Sequence, residues 1–322
     1  VWIPMTELPE DFNGKIPIEN RHDFTNLKDC SFHWELGDFY HPLDKKPGHR
    51  VLFEGKASPP DIQPHSQGWL EIMLPTGWVE SDVLQLKVLD PAGHEIWTWS
   101  WRVVDETLIN RENLQAGKKV KYRVRDSITS ISTGSLELVF NSNRGVLEEV
   151  NKAGRKISFG NGPTFLAARR GDRTLDGSID TDAEKGVDRV YKRIQYKSKL
   201  LDFEIIEDGK NIVLRAGYFG PLISTEWIVY PDGTVELNYK YRYDGVVELM
   251  GIEFDYPESE MKSKRWLGEG PYRVWQNRLH GTWLDVWETS YNDPVPAESF
   301  SYPEFKGYFS GWSWVSYTTG EG

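Results

Sequence analysis

The chain has 322 residues, of which 39% are hydrophobic and 27% are charged, and its formal net charge is −11. That length predicts two domains, because single hydrophobic cores stop growing at roughly 250–300 residues. The acidic balance argues against nucleic acid and an anionic membrane surface as partners, since both require a cationic face, and no stretch approaches the ~18 consecutive apolar residues of a spanning helix.

Cofactor and targeting signals are absent from the sequence pattern. Residues 1–14 are acidic and lack a basic start followed by an apolar run, so no signal peptide is predicted. The single cysteine, Cys30, excludes an internal disulfide and a cysteine-based zinc site. The seven histidines are scattered without metal-ligand spacing, and Gly268-Glu-Gly270 lacks the third glycine of a phosphate loop. We therefore expect no metal and no cofactor.

The first hundred residues show the period-two alternation of strands. Alternating runs occupy Cys30–Leu36, Val83–Leu89 and Glu95–Val104, and turn signals recur about every ten residues, as in Pro75-Thr-Gly77. That spacing predicts an immunoglobulin-like β-sandwich over residues 1–107. The third run places Trp97, Trp99 and Trp101 on one face, which we assign to the domain core rather than to a neighbouring domain.

A polar stretch without β periodicity follows and predicts a linker at residues 108–121. Longer alternating runs then resume, separated by hairpin signals at Glu207-Asp-Gly-Lys210 and Tyr230-Pro-Asp-Gly-Thr234. They predict a large antiparallel sandwich over residues 122–322, so the fold class is all-β throughout. The charged, glycine-rich residues 169–188 are predicted to form a mobile excursion from it.

Three segments carry a family pattern in a fixed order. Pro17-Ile-Glu-Asn-Arg-His-Asp-Phe-Thr-Asn-Leu27 resembles the opening of the immunoglobulin-like domain that follows the barrel in family 2 β-galactosidases. Trp266-Leu-Gly-Glu-Gly-Pro-Tyr-Arg-Val-Trp-Gln-Asn-Arg-Leu279 is similar to a Trp-x-Gly-x-Gly-Pro segment of the large final domain of those enzymes. Tyr302-Pro-Glu-Phe-Lys-Gly307 with Trp312-Ser-Trp314 resembles a later strand pair of that domain.

The resemblance implies the non-catalytic C-terminal region of a β-galactosidase-like glycoside hydrolase. Its second domain would be a galactose-mutarotase-like supersandwich, and its partners would be carbohydrate and the catalytic barrel of the parent chain. The sequence departs from the pattern at Phe165–Asp172, which lacks the proline and asparagine of the family's run there. We also expect Gly322 to precede the last strands of the family's domain. The compartment is undetermined, with bacterial cytoplasm and periplasm both open for the parent.

Glycoside hydrolysis needs two carboxyl groups flanking the scissile bond. In the family both come from a barrel, and this sequence shows no βα alternation that would build one. The remaining carboxyls in the aromatic-rich stretch of residues 266–305 are Glu269, Asp285, Glu288, Glu298 and Glu304. Burial among aromatic rings could raise a carboxyl pKa, but a surface or hydrogen-bonding role is the plainer interpretation. We predict no catalytic residue in the chain.

The best binding candidate is the segment from Trp266 to Arg278. Gly268, Gly270 and Pro271 are predicted to break a strand and make a tight loop. The residues that would then offer stacking faces and hydrogen-bond donors to sugar hydroxyls are Tyr272, Trp275, Gln276, Asn277 and Arg278. A rigid loop packed on the barrel, and an internal core role, stay open as alternatives. Trp283 and Trp287 would face one way on a helical turn or belong to the core.

Two other functions remain open from the sequence alone. The chain could be a stand-alone carbohydrate-binding module, since it contains 14 Trp and 15 Tyr and aromatic rings offer flat faces to sugars, although structural aromatics are commoner. It could also be an epimerase of the mutarotase type, which rests on fold analogy alone.

Overall fold

The computed structural model describes residues 1–104, 114–170, 191–193, 198–247, 249–275, 277–291 and 307–321. Within these ranges the protein is all-β, as predicted: the strands pair antiparallel and no α-helix occurs. Four 3-10 turns accompany the strands, at Leu27–Asp29, Pro42–Asp44, Trp78–Glu80 and Glu258–Glu260. The described residues contain no helix with the length and apolar character needed to span a membrane.

Residues 1–104 form the first sandwich, in which a two-stranded sheet (β1-β4) faces a four-stranded sheet (β3-β2-β5-β6). Its strands are β1 Lys15–Glu19, β2 Ser31–Phe39, β3 His49–Ala57, β4 Gln67–Glu71, β5 Val83–Leu89 and β6 Glu95–Arg102. The predicted alternation is confirmed, because Phe32, Trp34 and Leu36 all enter one apolar core with Leu84 and Leu86 of β5.

The three tryptophans of β6 divide between two surroundings. Trp101 is 2% exposed in the first core and Trp99 packs against that core, as predicted. The ring of Trp97 instead meets Trp283 at a centroid distance of 5.5 Å in an edge-to-face contact. Assigning all three to the core was therefore wrong for Trp97. The register shifts at this end of β6, because Val88 pairs with Trp97 and Leu89 with Glu95, which leaves Ile96 as the unpaired residue of a bulge.

Strands β7 to β18 form the second sandwich, in which an eight-stranded sheet faces the four-stranded sheet β14-β15-β16-β17. The eight-stranded sheet contains β7 Lys121–Arg125, β8 Ile128–Thr133, β9 Leu136–Asn141, β10 Val146–Lys152, β11 Arg155–Ile157, β12 Gly160–Arg170, β13 Tyr191–Arg193 and β18 Leu249–Asp255. The four-stranded sheet contains β14 Lys199–Asp208, β15 Asn211–Phe219, β16 Leu222–Val229 and β17 Val235–Tyr241. Phe140 from one sheet and Trp227 from the other meet in the shared core with centroids 5.3 Å apart.

Both predicted hairpins of the second sandwich are present. The β14–β15 turn contains Gly209 at φ 60°, and the β16–β17 turn contains Gly233 at φ 96°. A residue with a Cβ is strained at such positive φ values, so glycine allows the chain to reverse there.

Two predicted segments fall partly or wholly outside the described residues. Of the predicted linker, the described part packs on the β14–β15 hairpin: the Val120 amide donates to the Lys210 carbonyl at 2.9 Å. Leu114 is buried. Most of the predicted excursion at residues 169–188 lies outside the described ranges.

The last three strands form the C-terminal sheet in the order β20-β19-β21, with β19 Met261–Gly270, β20 Trp283–Ser290 and β21 Trp314–Thr319. Its central strand is largely buried, and Trp266 and Leu267 are both fully covered. Glu321, just after β21, ties the sheet to the second sandwich, because its carboxylate accepts hydrogen bonds from Ser158 Oγ at 2.6 Å and Tyr256 Oη at 3.0 Å.

Candidate functional site

The predicted binding residues lie in the loop of residues 271–282, which joins β19 to β20. The loop is fixed at its middle, because Val274 is 2% exposed and exchanges two backbone hydrogen bonds with Tyr308, of 2.8 and 2.9 Å. Trp275 and Arg278 exchange a further pair, of 3.2 and 2.7 Å, which closes a tight turn. These backbone hydrogen bonds hold the loop in place at Val274, Trp275 and Arg278.

Three of the five predicted binding side chains are exposed in the described part of the loop. Tyr272 is 48% exposed, Asn277 and Arg278 are also exposed, and Trp275 is half-buried. Gln276, which the sequence also suggested, lies outside the described residues. The arrangement offers an aromatic face, an amide and a guanidinium on one anchored loop, which are the groups that bind sugar hydroxyls and ring faces.

The sequence predicted that Gly268, Gly270 and Pro271 would break a strand and make a loop, and β19 does end at Gly270, with the loop beginning at Pro271. Gly268 and Gly270 both lie inside β19, which continues to Gly270. A Cβ at Gly268 would lie 2.9 Å from Trp312 Cδ1, and one at Gly270 would clash with the indole of Trp287. The prediction was wrong for Gly268, which lies within the strand and, like Gly270, leaves room for a tryptophan ring over the strand.

The helical alternative for Trp283 and Trp287 is also wrong, since both lie in β20. They share one face of that strand and their rings meet edge to face at 4.8 Å. Trp266, Phe309 and Trp312 form a second aromatic group on the sheet, with centroid distances of 4.4 to 6.3 Å. Most of the tryptophans near the candidate loop are therefore structural.

The described carboxyls of the C-terminal sheet do not form a pair that could flank a glycosidic bond. Glu269 pairs with Leu284 whereas Asp285 pairs with Gly268, so the two carboxyls leave the sheet on opposite faces. Glu288 pairs with Arg265, which lies four residues before Glu269 on β19. At 3.3 Å per residue, Glu288 and Glu269 are therefore about 13 Å apart along the sheet. Glycosidase pairs are separated by about 5 to 9.5 Å. Glu298 and Glu304 lie outside the described residues.

The pKa of the Glu269 carboxyl is raised above its ordinary value. Burial is the main cause, and a hydrogen bond from the Thr282 side chain partly opposes it. Its backbone amide donates to the Ser310 carbonyl at 3.0 Å. A Cβ at Gly311 would lie 3.3 Å from Glu269 Cγ, so the Glu269 side chain packs against the segment before β21.

Sequence reasoning missed the contact between the first sandwich and the C-terminal sheet, which we call the seam. Asp285 is 8% exposed, and its carboxylate lies 3.2 Å from His49 Nδ1 and 3.1 Å from Gln85 Nε2. The Gly48 amide donates to the Val286 carbonyl at 2.6 Å. Further seam hydrogen bonds join the Leu284 amide to Ser100, Arg102 to Ser313, and Arg265 to the Pro42 carbonyl.

A sequence signal for the seam existed in the strands themselves. Gln85 interrupts the apolar run of β5, and Asp285 stands between Leu284 and Val286 in β20. A polar residue inside a buried strand requires a hydrogen-bond partner. That partner lies about 200 positions away along the chain in this case, and only the tertiary structure identifies it.

Among the described residues, the antiparallel sheets and the tryptophan-packed central strand of the C-terminal sheet define an all-β sandwich protein. The sequence profile of the family described as beta galactosidase small chain matches residues 132–322, and the chain belongs to that family. This confirms the resemblance to the C-terminal region of β-galactosidase-like enzymes. Of the three motifs, the two later ones lie within the match and Pro17–Leu27 precedes it. No curated protein matches the chain.

Proposed function

We propose that this chain is the non-catalytic C-terminal region of a family 2 β-galactosidase-like glycoside hydrolase, where it braces the catalytic barrel and contributes to carbohydrate binding. The family match over residues 132–322 is the observation that carries the proposal. The proposal includes an immunoglobulin-like domain at residues 1–107, a linker at residues 108–121 and a mutarotase-like supersandwich from residue 122.

Bracing is supported by the motif loop at the start of the first sandwich. Asn20 is fully buried, and its side-chain amide donates to the carbonyls of Thr25 and Ile62 at 2.9 and 2.8 Å. The loop closed by these bonds presents Phe24 with 96% of its surface exposed. The Phe24 side chain is thereby available to contact another protein surface. We place a barrel contact at Phe24.

A complementation assay tests the bracing role. The chain alone should not hydrolyse a chromogenic β-galactoside, whereas mixing it with the catalytic part of a family 2 enzyme lacking this region should restore turnover. Phe24→Ser should lower that restoration, and Met73→Ser, which changes an equally exposed apolar residue (89%), serves as the matched control. Turnover by the chain alone would contradict the proposal.

A stand-alone carbohydrate-binding module is the second candidate, favoured by the exposed Tyr272, Asn277 and Arg278 on their anchored loop. Calorimetric titration with β-galactosides should then show affinity that falls about tenfold, or about 1.4 kcal/mol, in Trp275→Ala and in Tyr272→Ala. Trp69→Ala, which removes an exposed tryptophan of β4, should leave affinity unchanged. If no glycan in a panel gave a measurable heat of binding, carbohydrate binding would be excluded. The bracing role would not be affected by that result.

A further inference from the structure

We propose that His49 and Asp285 form a pH-sensitive latch that holds the first sandwich against the C-terminal sheet and loosens when His49 loses its proton. The two residues are 236 positions apart, and their side chains are 8% and 12% exposed. His49 Nδ1 lies 3.2 and 3.3 Å from the two carboxylate oxygens of Asp285. The latch is independent of the proposed function, because it concerns how two parts of this chain hold together.

The surroundings of the pair keep both side chains in place. Asp285 also accepts hydrogen bonds from Gln85 Nε2 at 3.1 Å and from the Val286 amide at 2.7 Å, so its orientation is fixed. A Cβ at Gly37 of β2 would clash with the imidazole of His49, so the ring fills the space that this glycine leaves. The pair is thus a packed and oriented contact, unlike two long side chains that meet in solvent.

The latch lies beside the main-chain contacts of the seam. Gly48 immediately precedes His49, and its amide donates to the Val286 carbonyl on β20, the residue after Asp285. The Leu284 amide, on the other side of Asp285, donates to Ser100 Oγ at 2.6 Å. Because β20 is an edge strand of the C-terminal sheet, these bonds satisfy backbone groups that would otherwise be open. Loosening the pair should expose both amides.

Two carboxylates face the imidazole of His49. Asp285 approaches from β20, and Glu35 from β2 places Oε2 3.4 Å from His49 Nε2; Gln85 from β5 brings a neutral amide to the same cluster. Arg50, the next residue along β3, is paired with Asp38 at 2.6 Å. Protonated His49 therefore supplies a positive charge beside the buried Asp285 carboxylate, and neutral His49 leaves that carboxylate with its hydrogen bonds from Gln85 and Val286 alone.

The direction of the pH effect follows from this arrangement. Burial, the largest single influence, lowers the pKa of His49, but the hydrogen bond and charge of Asp285 together with Glu35 outweigh it, so the pKa lies above its ordinary value of 6.5. Folding then favours the protonated ring. The latch contributes fully below the unfolded-state pKa and is lost as pH rises through the higher pKa of the folded protein.

Two measurements on the full chain test the latch. The first is an NMR titration of the His49 imidazole, which should show a midpoint above 6.5 that falls in Asp285→Asn. The second is hydrogen exchange of peptides covering residues 45–52 and 282–290, corrected for intrinsic rates. Exchange should increase several-fold between about pH 6 and about pH 9 in the wild type, whereas peptides of β15 should show no such increase.

Two variants complete the exchange experiment. His49→Gln should abolish the pH dependence of exchange at the seam. His94→Gln should retain it, because His94 also lies beside an aspartate, Asp90 at 3.3 Å, but is 82% exposed. A wild-type midpoint at or below 6.5, or a pH dependence that persists in His49→Gln, would overturn the proposal. If a variant fails to fold, the wild-type titration and the wild-type exchange measurements still test the proposal.

Discussion

In the second sandwich two sheets share one apolar core, whereas the C-terminal sheet packs partly against the first sandwich. Phe140, Leu147 and Trp227 illustrate the first arrangement, since each lies between the two sheets of its own sandwich. Asp285 illustrates the second, since its buried carboxylate is satisfied by His49 and Gln85 of the first sandwich. The comparison teaches that apolar burial builds the sandwich, while oriented polar contacts set how the C-terminal sheet is docked.

Removing a large side chain from the core of the second sandwich should cause the largest loss in the free energy of unfolding. Phe140→Ala deletes a fully buried ring that contacts Trp227, and the lost burial and the remaining cavity should lower the free energy of unfolding by about 3–5 kcal/mol. Urea denaturation measures the change. A loss below about 1 kcal/mol would show that the two sheets do not depend on this contact.

Adding a single methyl group to the C-terminal sheet should have an intermediate effect. In Gly270→Ala the new Cβ would displace the indole of Trp287 and disturb its contact with Trp283, at a cost of about 1–3 kcal/mol in unfolding free energy. Gly251→Ala is the matched control, because that strand glycine of β18 has open space where its Cβ would be. The control should stay within about 0.5 kcal/mol of the wild type, and equal losses in both variants would contradict the packing role of Gly270.

The smallest change in stability is expected for a substitution at Glu269, and this substitution should stabilise the protein rather than destabilise it. Burial raises the pKa of Glu269, so ionisation is less favourable in the folded protein than in the unfolded chain. Glu269→Gln should therefore raise the urea midpoint at neutral pH, and the gain should disappear in acid, where the wild-type carboxyl is protonated.

The control for that measurement is Glu71→Gln on the surface of β4. Glu71 lies 3.5 Å from Lys15 with both side chains largely exposed, at 70% and 58%. An exposed ion pair contributes little to stability, so the midpoint should not change at either pH. A lower midpoint for Glu269→Gln at neutral pH would show that the ionised carboxylate is stabilised by its surroundings.

The regular part of the fold could be predicted from local pattern. The alternating run Val83–Leu89 is β5 to the residue, and the turn signals at Gly209 and Gly233 fall between the strands they were expected to join. These features depend on side-chain alternation and on backbone freedom at glycine, both of which act over a few residues. The start of the loop carrying Tyr272 and Arg278 was also predicted, although Gly268 lies within β19 rather than at its end.

The roles of Gly268 and Gly270 could not be predicted, because a glycine in a strand and a glycine in a turn look alike in sequence. What distinguishes them is the ring that lies over each one, contributed by Trp312 or Trp287 from a neighbouring segment. The core assignment of Trp97 was wrong for a similar reason. Alternation predicts the face of β6 on which Trp97 lies, but not that its ring contacts Trp283, which lies about 180 residues later in the chain.

The sequence by itself determined that this protein is all-β, where the hairpins at Gly209 and Gly233 turn, and which family it belongs to. Each of these depends on periodicity or on motifs along the chain. Only the tertiary structure decided that His49, Gln85 and Asp285 meet, and that the outer edge of β20 is covered by the first sandwich. The physical reason is that buried polar groups must find hydrogen-bond partners, and no local pattern specifies which of the distant strands will supply them.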